Sequence, residues 1–228
     1  MKLSITAHKP QTTRHSVLGV KTQGDTQLIF VDTPGIHVEG KRVLNRVLNR
    51  TASAALHGVD AVVFVVQALS WNEDDQRAYE FVEKSDVPVF IAVNKVDRVQ
   101  PRERLLPYLQ QLPRPTMLRE VIPISARNGD HVDRLEAFLI DAMPAAGHRF
   151  DADDFTDRSM RFLAAELVRE QLTRLLEKEL PYSLSVEIEQ FEQDGEMLRI
   201  GAVVWVEKAS QKGIVIGKGG AQLKMVGF

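Results

Sequence analysis

Three short stretches of the chain carry residue types at spacings that suit nucleotide chemistry. Asp32-Thr33-Pro34-Gly35 follows the apolar run Leu28-Ile29-Phe30-Val31, which reads as a buried strand closed by a turn that cannot continue it. A carboxylate at such a strand end can hold a hydrated Mg²⁺. The glycine three residues on lets its backbone N–H approach a terminal phosphate with no Cβ in the way. Asn94-Lys95-Val96-Asp97 closes a second run, Val87 to Val93. The Asp97 carboxylate can accept from both N1–H and the exocyclic amine of guanine, a donor pair that adenine does not present. Asn94 can brace the neighbouring loops, and the Lys95 stem can lie along the base plane. Ser125-Ala126-Arg127 closes a third run, Glu120 to Ile124, where a backbone N–H could meet guanine O6. Singly each pattern is weak, since D-x-x-G is frequent and N-K-x-D is as readily a turn with a surface salt bridge. Their order, each at a strand end, outweighs that reading.

The elements that must position these residues are legible in the hydrophobic pattern. Ser16–Gln23 and Gln27–Val31 flank Gly24-Asp25 and predict a hairpin leading into Asp32, after a polar, threonine-rich loop over residues 4–15. Lys41–Leu56 has helical spacing, Ala61–Val66 is a buried strand, and Glu73–Lys84, Pro101–Gln111 and His131–Met143 are helices between the strands already named. Such alternation predicts an α/β fold with a mostly parallel sheet covered on both faces, its ligands at the carboxyl ends of the strands. Pro144–His148 and the acidic Asp151–Asp157 read as a linker. Beyond it, Arg158–Glu179 predicts one long helix with Phe162, Leu163, Leu167, Leu172, Leu175 and Leu176 on its apolar face. Ser183–Phe191 and Met197–Val206 follow as strands, and a glycine-rich turn leads into a helix over Ala221–Val226. The division is residues 1–146, a linker over 147–157, and a smaller α+β domain over 158–228.

Composition narrows the class. The 228 residues are 44% apolar and carry a net charge of −2, so a real core is expected and no global basic field. Cysteine is absent, which excludes disulfides and thiolate metal sites. The first residues lack the apolar core of a signal peptide, and the longest apolar run, Ala61–Val66, is far too short to span a bilayer. A soluble intracellular protein is the expectation. The six histidines show no metal-ligand spacing, His8, His15 and His37 read as solvated loop residues, and Trp71 and Trp205 as packing residues.

With these motifs in place, the chain resembles translation-factor-type GTPases of the Era/TrmE type, and more narrowly the bacterial Era family. Lys9-Pro10-Gln11-Thr12-Thr13-Arg14-His15 is similar to that family's first switch loop. Asp32-Thr33-Pro34-Gly35-Ile36-His37 is similar to its second, and Gly217-Lys218-Gly219-Gly220 to the G-x-x-G loop of its K-homology (KH) domain. The resemblance implies a P-loop GTPase-like sheet followed by a type II KH domain, with GTP or GDP and Mg²⁺ as cofactors. Thr13, rather than Thr12, and Asp32 would hold the metal, and Thr13 and Gly35 would be the catalytic candidates. Asp32, Thr33, Pro34, Gly35, Asn94, Lys95, Asp97, Ser125, Ala126 and Arg127 would contact the nucleotide. Its implied partners are the 3′ region of 16S rRNA and the 30S ribosomal subunit, met by a cytoplasmic monomer with peripheral membrane association. In the KH segment the glycines permit close approach to a nucleic-acid backbone. Lys208, Lys212, Lys218 and Lys224 against Glu207 make this end locally basic, and Ile214, Val215 and Ile216 suit a groove floor. The RNA-contact candidates are Lys212, Ile214, Ile216, Gly217, Lys218, Gly219, Gly220 and Lys224.

Two departures qualify the resemblance. No G-x-x-x-x-G-K-S/T phosphate loop occurs anywhere in the chain. Gly213 to Gly219 imitates one with three intervening residues, no Ser or Thr after the Lys, and the wrong position. The expectation is a chain truncated at both ends, lacking the first strand and the end of the KH fold, inactive as written and poorly soluble because the neighbouring strand edges are bared. A non-enzymatic RNA-binding remnant with a vestigial nucleotide domain is the alternative. The other departure is Ile36, which stands where Ras-type enzymes orient the attacking water with Gln; an apolar side chain cannot do so.

Overall fold

A computed structural model of the chain describes residues 3–6, 13–33, 58–176 and 183–227. The expected helix over Lys41–Leu56, and Lys9–Thr12, Pro34, Gly35, Ile36 and His37, lie outside them. The chain divides into two compact units, Met1–Lys21 with Ile29–Pro34 and Asp153–Phe228, and Thr22–Leu28 with Gly35–Ala152.

Strands β1 (Val17–Gln23) and β2 (Thr26–Asp32) form the expected hairpin, turning at Gly24, whose φ of +56° suits a residue without Cβ. The hairpin is a two-stranded sheet of its own. Leu28 is buried but Phe30 is 42% exposed, which corrects the expectation of a buried strand at Leu28–Val31. Leu28 and Phe30 share a face of the strand, so the cover over that face reaches Leu28 and does not extend to Phe30.

In the second unit β3 (Val62–Gln67), β4 (Val89–Asn94) and β5 (Leu118–Pro123) form a parallel sheet in the order β3-β4-β5. Helices α1 (Glu73–Val82), α2 (Leu105–Gln111) and α3 (Val132–Ala142) follow the three strands. Val89, Ile91, Ala92 and Val93 are 0% exposed, because β4 has a strand on either side and apolar layers on both faces. Phe64, Val66, Ile91 and Val93 meet Tyr79, Val82 and Leu112 on one face, while Phe90, Ala92 and Ile122 meet Leu139 on the other. This double burial explains why Val89–Val93 reads as an unbroken apolar run. Strand β3 has a partner on one side only among the described residues; its burial alternates and Val65 is 55% exposed, which corrects the expectation of a buried strand at Ala61–Val66. Trp71 packs here, edge-on to Phe64 and Tyr79. The next residue, Asn72, starts α1 with a capping box, its side chain accepting from the N–H groups of Asp74 and Asp75.

The first unit holds α4 (Met160–Leu175), β6 (Leu184–Asp194), β7 (Met197–Val206), α5 (Ala209–Ile216) and α6 (Ala221–Val226), with β6 and β7 antiparallel. Helix α4 is shorter than expected at both ends: Ser159 caps it, its Oγ accepting from Phe162 N–H at 3.2 Å, and Leu176 is already extended. Leu167, expected on its apolar face, is 52% exposed, and Arg169, Glu170 and Thr173 are buried instead. They are tolerated because they are paired. The Arg169 fork donates to both oxygens of Glu166, at 2.7 and 2.6 Å. Glu170 accepts from Arg174 at 2.6 Å and from the Thr6 N–H at 3.0 Å. Leu172, Leu176, Leu184 and Val215 form the core of this unit. Trp205 is not part of it; it is 55% exposed and its indole N–H donates to Glu187.

Candidate functional site

Asn94 and Gln67 end β4 and β3 side by side in register. The next residue, Lys95, adopts a left-handed conformation at φ +66°, uncommon for a side chain with Cβ and characteristic of strained functional turns. The Asn94 side chain holds this turn. Its Oδ1 accepts from the N–H of Lys95 at 2.7 Å and from the N–H of Ala126 at 3.0 Å, which staples the β4 turn to the loop after β5. Because both contacts are N–H donors, the oxygen must face them, and the amide nitrogen makes no hydrogen bond among the described residues.

Asp97 belongs to a short 3₁₀ turn, Val96–Arg98. Fully buried Ser125 donates its hydroxyl to Asp97 Oδ1 at 2.7 Å and accepts from Asn128 N–H at 3.2 Å. That fixes the carboxylate by one oxygen and leaves Oδ2 without a hydrogen bond among the described residues. The structure therefore brings Asn94, Lys95, Asp97, Ser125 and Ala126 together at the carboxyl end of the parallel sheet. Arg127 follows as an exposed residue. Sequence reasoning missed Gln67, whose Oε1 accepts from Lys95 Nζ at 2.6 Å, and Tyr108, whose hydroxyl contacts the carbonyls of Gln67 and Ser70 at 3.1 and 2.8 Å. The one available signal was Gln67 as the first polar residue after the Ala61–Val66 run.

In the other unit the Thr13 hydroxyl lies 3.5 Å from Asp32 Oδ2. Two hard oxygens side by side suit Mg²⁺, which takes one or two protein oxygens and completes its shell with water and phosphate. No group of three His, Cys, Asp or Glu among the described residues could hold a metal by itself. Thr33 follows Asp32, while Pro34 and Gly35 lie outside the described residues. His15 is not simply solvated: its ring meets Phe162 edge-on at 6.0 Å, and burial lowers its pKa below the ordinary value.

Helix α5 ends at the glycine loop and α6 begins beyond it. Gly217, Gly219 and Gly220 have φ of +72°, +60° and +78°. A Cβ on Gly217 would stand 2.8 Å from Gln222 Cβ, so the loop closes tightly there, while Gly219 faces open space. Lys212, Lys218 and Lys224 are exposed, Ile214 is 60% exposed and Ile216 half-buried. Val215, at 4%, belongs to the core and not to a groove floor, because adjacent helical residues point about 100° apart.

Residues 1–95 match the family described as "50S ribosome-binding GTPase", and residues 179–227 match the KH domain. The chain is 51% identical over 226 residues to the GTPase Era of Pseudomonas aeruginosa strain LESB58, covering 99% of this chain and 74% of that protein. Against the GTPase Era of Azotobacter vinelandii strain DJ identity is 50%, covering 99% and 75%. Among solved structures, Era in complex with MgGDPNP and nucleotides 1506–1542 of 16S ribosomal RNA superimposes with a TM-score of 0.92 at 35% identity, covering all of this chain and 78% of that one. An Aquifex aeolicus Era variant bound to GDP·AlF4⁻ gives a TM-score of 0.92 at 34% identity, covering 100% and 78%.

Proposed function

This chain belongs to the Era family of GTPases, and from that premise we propose that it reads the guanine base at a first site, in the unit built on β3, β4 and β5, and single-stranded RNA at a second, with Mg²⁺ taken by Thr13 and Asp32. The carrying observation is the guanine-end geometry: Asn94 stapled to two loops through its oxygen, and Asp97 held by Ser125 through one oxygen only. Asp97 Oδ2 is thereby presented to the N1–H and exocyclic amine of guanine, and the Asn94 amide to a purine acceptor. The Lys95 stem offers a surface for the base, while the Ala126 N–H is already taken by Asn94 Oδ1. Thr13 and Asp32 offer a hydroxyl and a carboxylate to the metal, with Gly35 the sequence candidate for a phosphate contact. Bound GTP with Mg²⁺ would supply a γ-phosphate whose loss separates two states of the switch segments. Ile36 cannot orient water, so turnover in an intact relative would rely on another group or on a partner.

At the second site Gly217 to Gly220 let an RNA backbone come close, Lys212, Lys218 and Lys224 supply charge, and Ile214 and Ile216 apolar contact. A related Era is known in complex with nucleotides 1506–1542 of 16S rRNA. On that likeness the RNA is the 3′ region of 16S rRNA and the setting is 30S subunit assembly by a monomer. The working division is residues 1–146 for nucleotide, 147–157 as linker and 158–228 for RNA. No described helix is long and apolar enough to cross a membrane; the reading puts the chain in the cytoplasm, with peripheral contact at the inner membrane face.

Titration with fluorescent GDP in Mg²⁺, competed by unlabelled GDP, ADP and xanthosine diphosphate, tests the reading. GDP alone should displace the probe. Asp97→Asn should weaken GDP by about tenfold or more and favour xanthosine diphosphate, since an amide donates where the carboxylate accepted. RNA binding with no guanine-selective displacement would instead support the non-enzymatic remnant.

A further inference from the structure

We infer that Gln67 is a positioning residue of the guanine site, acting through Lys95; this rests on the guanine reading above. Lysine is a poor element of a rigid site, because its four-carbon stem carries about 2 kcal/mol of rotamer entropy. Here both ends of Lys95 are tied. Its backbone N–H donates to Asn94 Oδ1 at 2.7 Å in the left-handed turn, and its Nζ donates to Gln67 Oε1 at 2.6 Å. The side chain therefore reaches from the end of β4 to the end of β3, across the carboxyl edge of the sheet. A stem pinned in that direction presents its methylenes as a strip on which a planar base can lie beside Asp97.

The main chain of Gln67 is itself fixed. Its carbonyl accepts from the Tyr108 hydroxyl at 3.1 Å, the neighbouring Ala68 N–H donates to Asn94 O at 2.8 Å, and Gln67 pairs with Asn94 in the parallel ladder. The side chain is exposed and makes no other hydrogen bond among the described residues, so holding up the fold is not its task. Its chemistry also matters. A neutral amide accepts the proton of Nζ without cancelling the ammonium charge, which stays at the site entrance to attract an anionic nucleotide. Gln67 touches no part of the base; it sets which of the Lys95 rotamers is waiting for it.

Two measurements on the full chain, with Gln67→Leu and Gln67→Glu, decide the matter. The first is the rate of Lys95 acylation by an amine-reactive reagent, read by peptide mass spectrometry without nucleotide. The second is fluorescent GDP affinity. Gln67→Leu keeps the size and removes the acceptor; it should raise the Lys95 labelling rate about threefold, as the unpinned fraction grows, and weaken GDP about tenfold. Gln67→Glu retains an acceptor and should return Lys95 labelling to the wild-type rate, while GDP affinity recovers only in part because the added carboxylate offsets the ammonium charge; unfolding midpoints should be the same in all three chains. Unchanged Lys95 labelling in Gln67→Leu overturns the inference whatever the nucleotide does. Raised labelling with undiminished GDP affinity overturns it too, since Lys95 would then be held to no purpose at the base. If labelling responds as expected but the wild-type chain takes up no GDP, the guanine reading is what fails, and Gln67 loses the role assigned to it.

Discussion

Asn94 turns its acceptor inward and its donor outward, and the inward half is a structural contact that sequence alone could only suggest. Removing it with Asn94→Ala leaves the N–H groups of Lys95 and Ala126 without their acceptor and should destabilise the second unit by about 1–2 kcal/mol in urea melts, besides abolishing guanine selectivity. His15 offers a pH test in the first unit. Burial against its surroundings lowers its pKa below the ordinary 6.5, with nearby Arg169, Arg158 and Arg14 acting in the same direction and Glu166 opposing. A depressed folded pKa means that the unfolded chain takes up the proton first as the solution is acidified. The stability that neutral His15 contributes is thus complete above about pH 6.5 and lost as pH falls through the lower folded value. His15→Gln should flatten this part of the pH–stability curve between pH 7.5 and 5; an unchanged slope would contradict the assignment.

Among the elements, the turn between α5 and α6 is the one whose sequence and backbone agree most closely. Four residues, three of them at positive φ, join two short helices, and glycine is the residue that adopts such angles without strain. The three glycines are not equivalent. At Gly217 a Cβ would also run into Gln222 Cβ at 2.8 Å and its backbone nitrogen at 2.9 Å, whereas at Gly219 there is room. Gly217→Ala should therefore cost about 2–3 kcal/mol or displace α6, against about 1 kcal/mol for Gly219→Ala, as read by denaturant unfolding. Equal costs would show that the close contact is relieved freely. Helix α4 teaches the reverse lesson. Its apolar spacing was legible, but the burial of Arg169 and Glu170 and the exposure of Leu167 were not, because partners from distant stretches, Thr6 among them, decide which face can be covered.

For the whole molecule, two separate cores imply two cooperative transitions. Ile91→Ala empties a fully buried position in β4 and should cost its unit about 2–5 kcal/mol while leaving the transition that depends on Leu172 in place. Loss of both transitions together would mean that the units unfold as one. The sequence alone determined the alternation of strands and helices in the parallel layer, the placement of Asn94, Asp97 and Ser125 at strand ends, and the glycine turn. Those follow from local rules: the apolar run of a central parallel strand is buried on both faces, parallel strands carry their functional groups at one edge, and positive φ favours glycine. Tertiary structure decided the rest. It set the hairpin apart as its own sheet with Phe30 exposed, put Val215 in the core and Trp205 outside it, and brought Gln67 to Lys95 across 28 residues of chain. Such outcomes depend on which surfaces are left over once the larger elements have packed, and no window of local sequence contains that information.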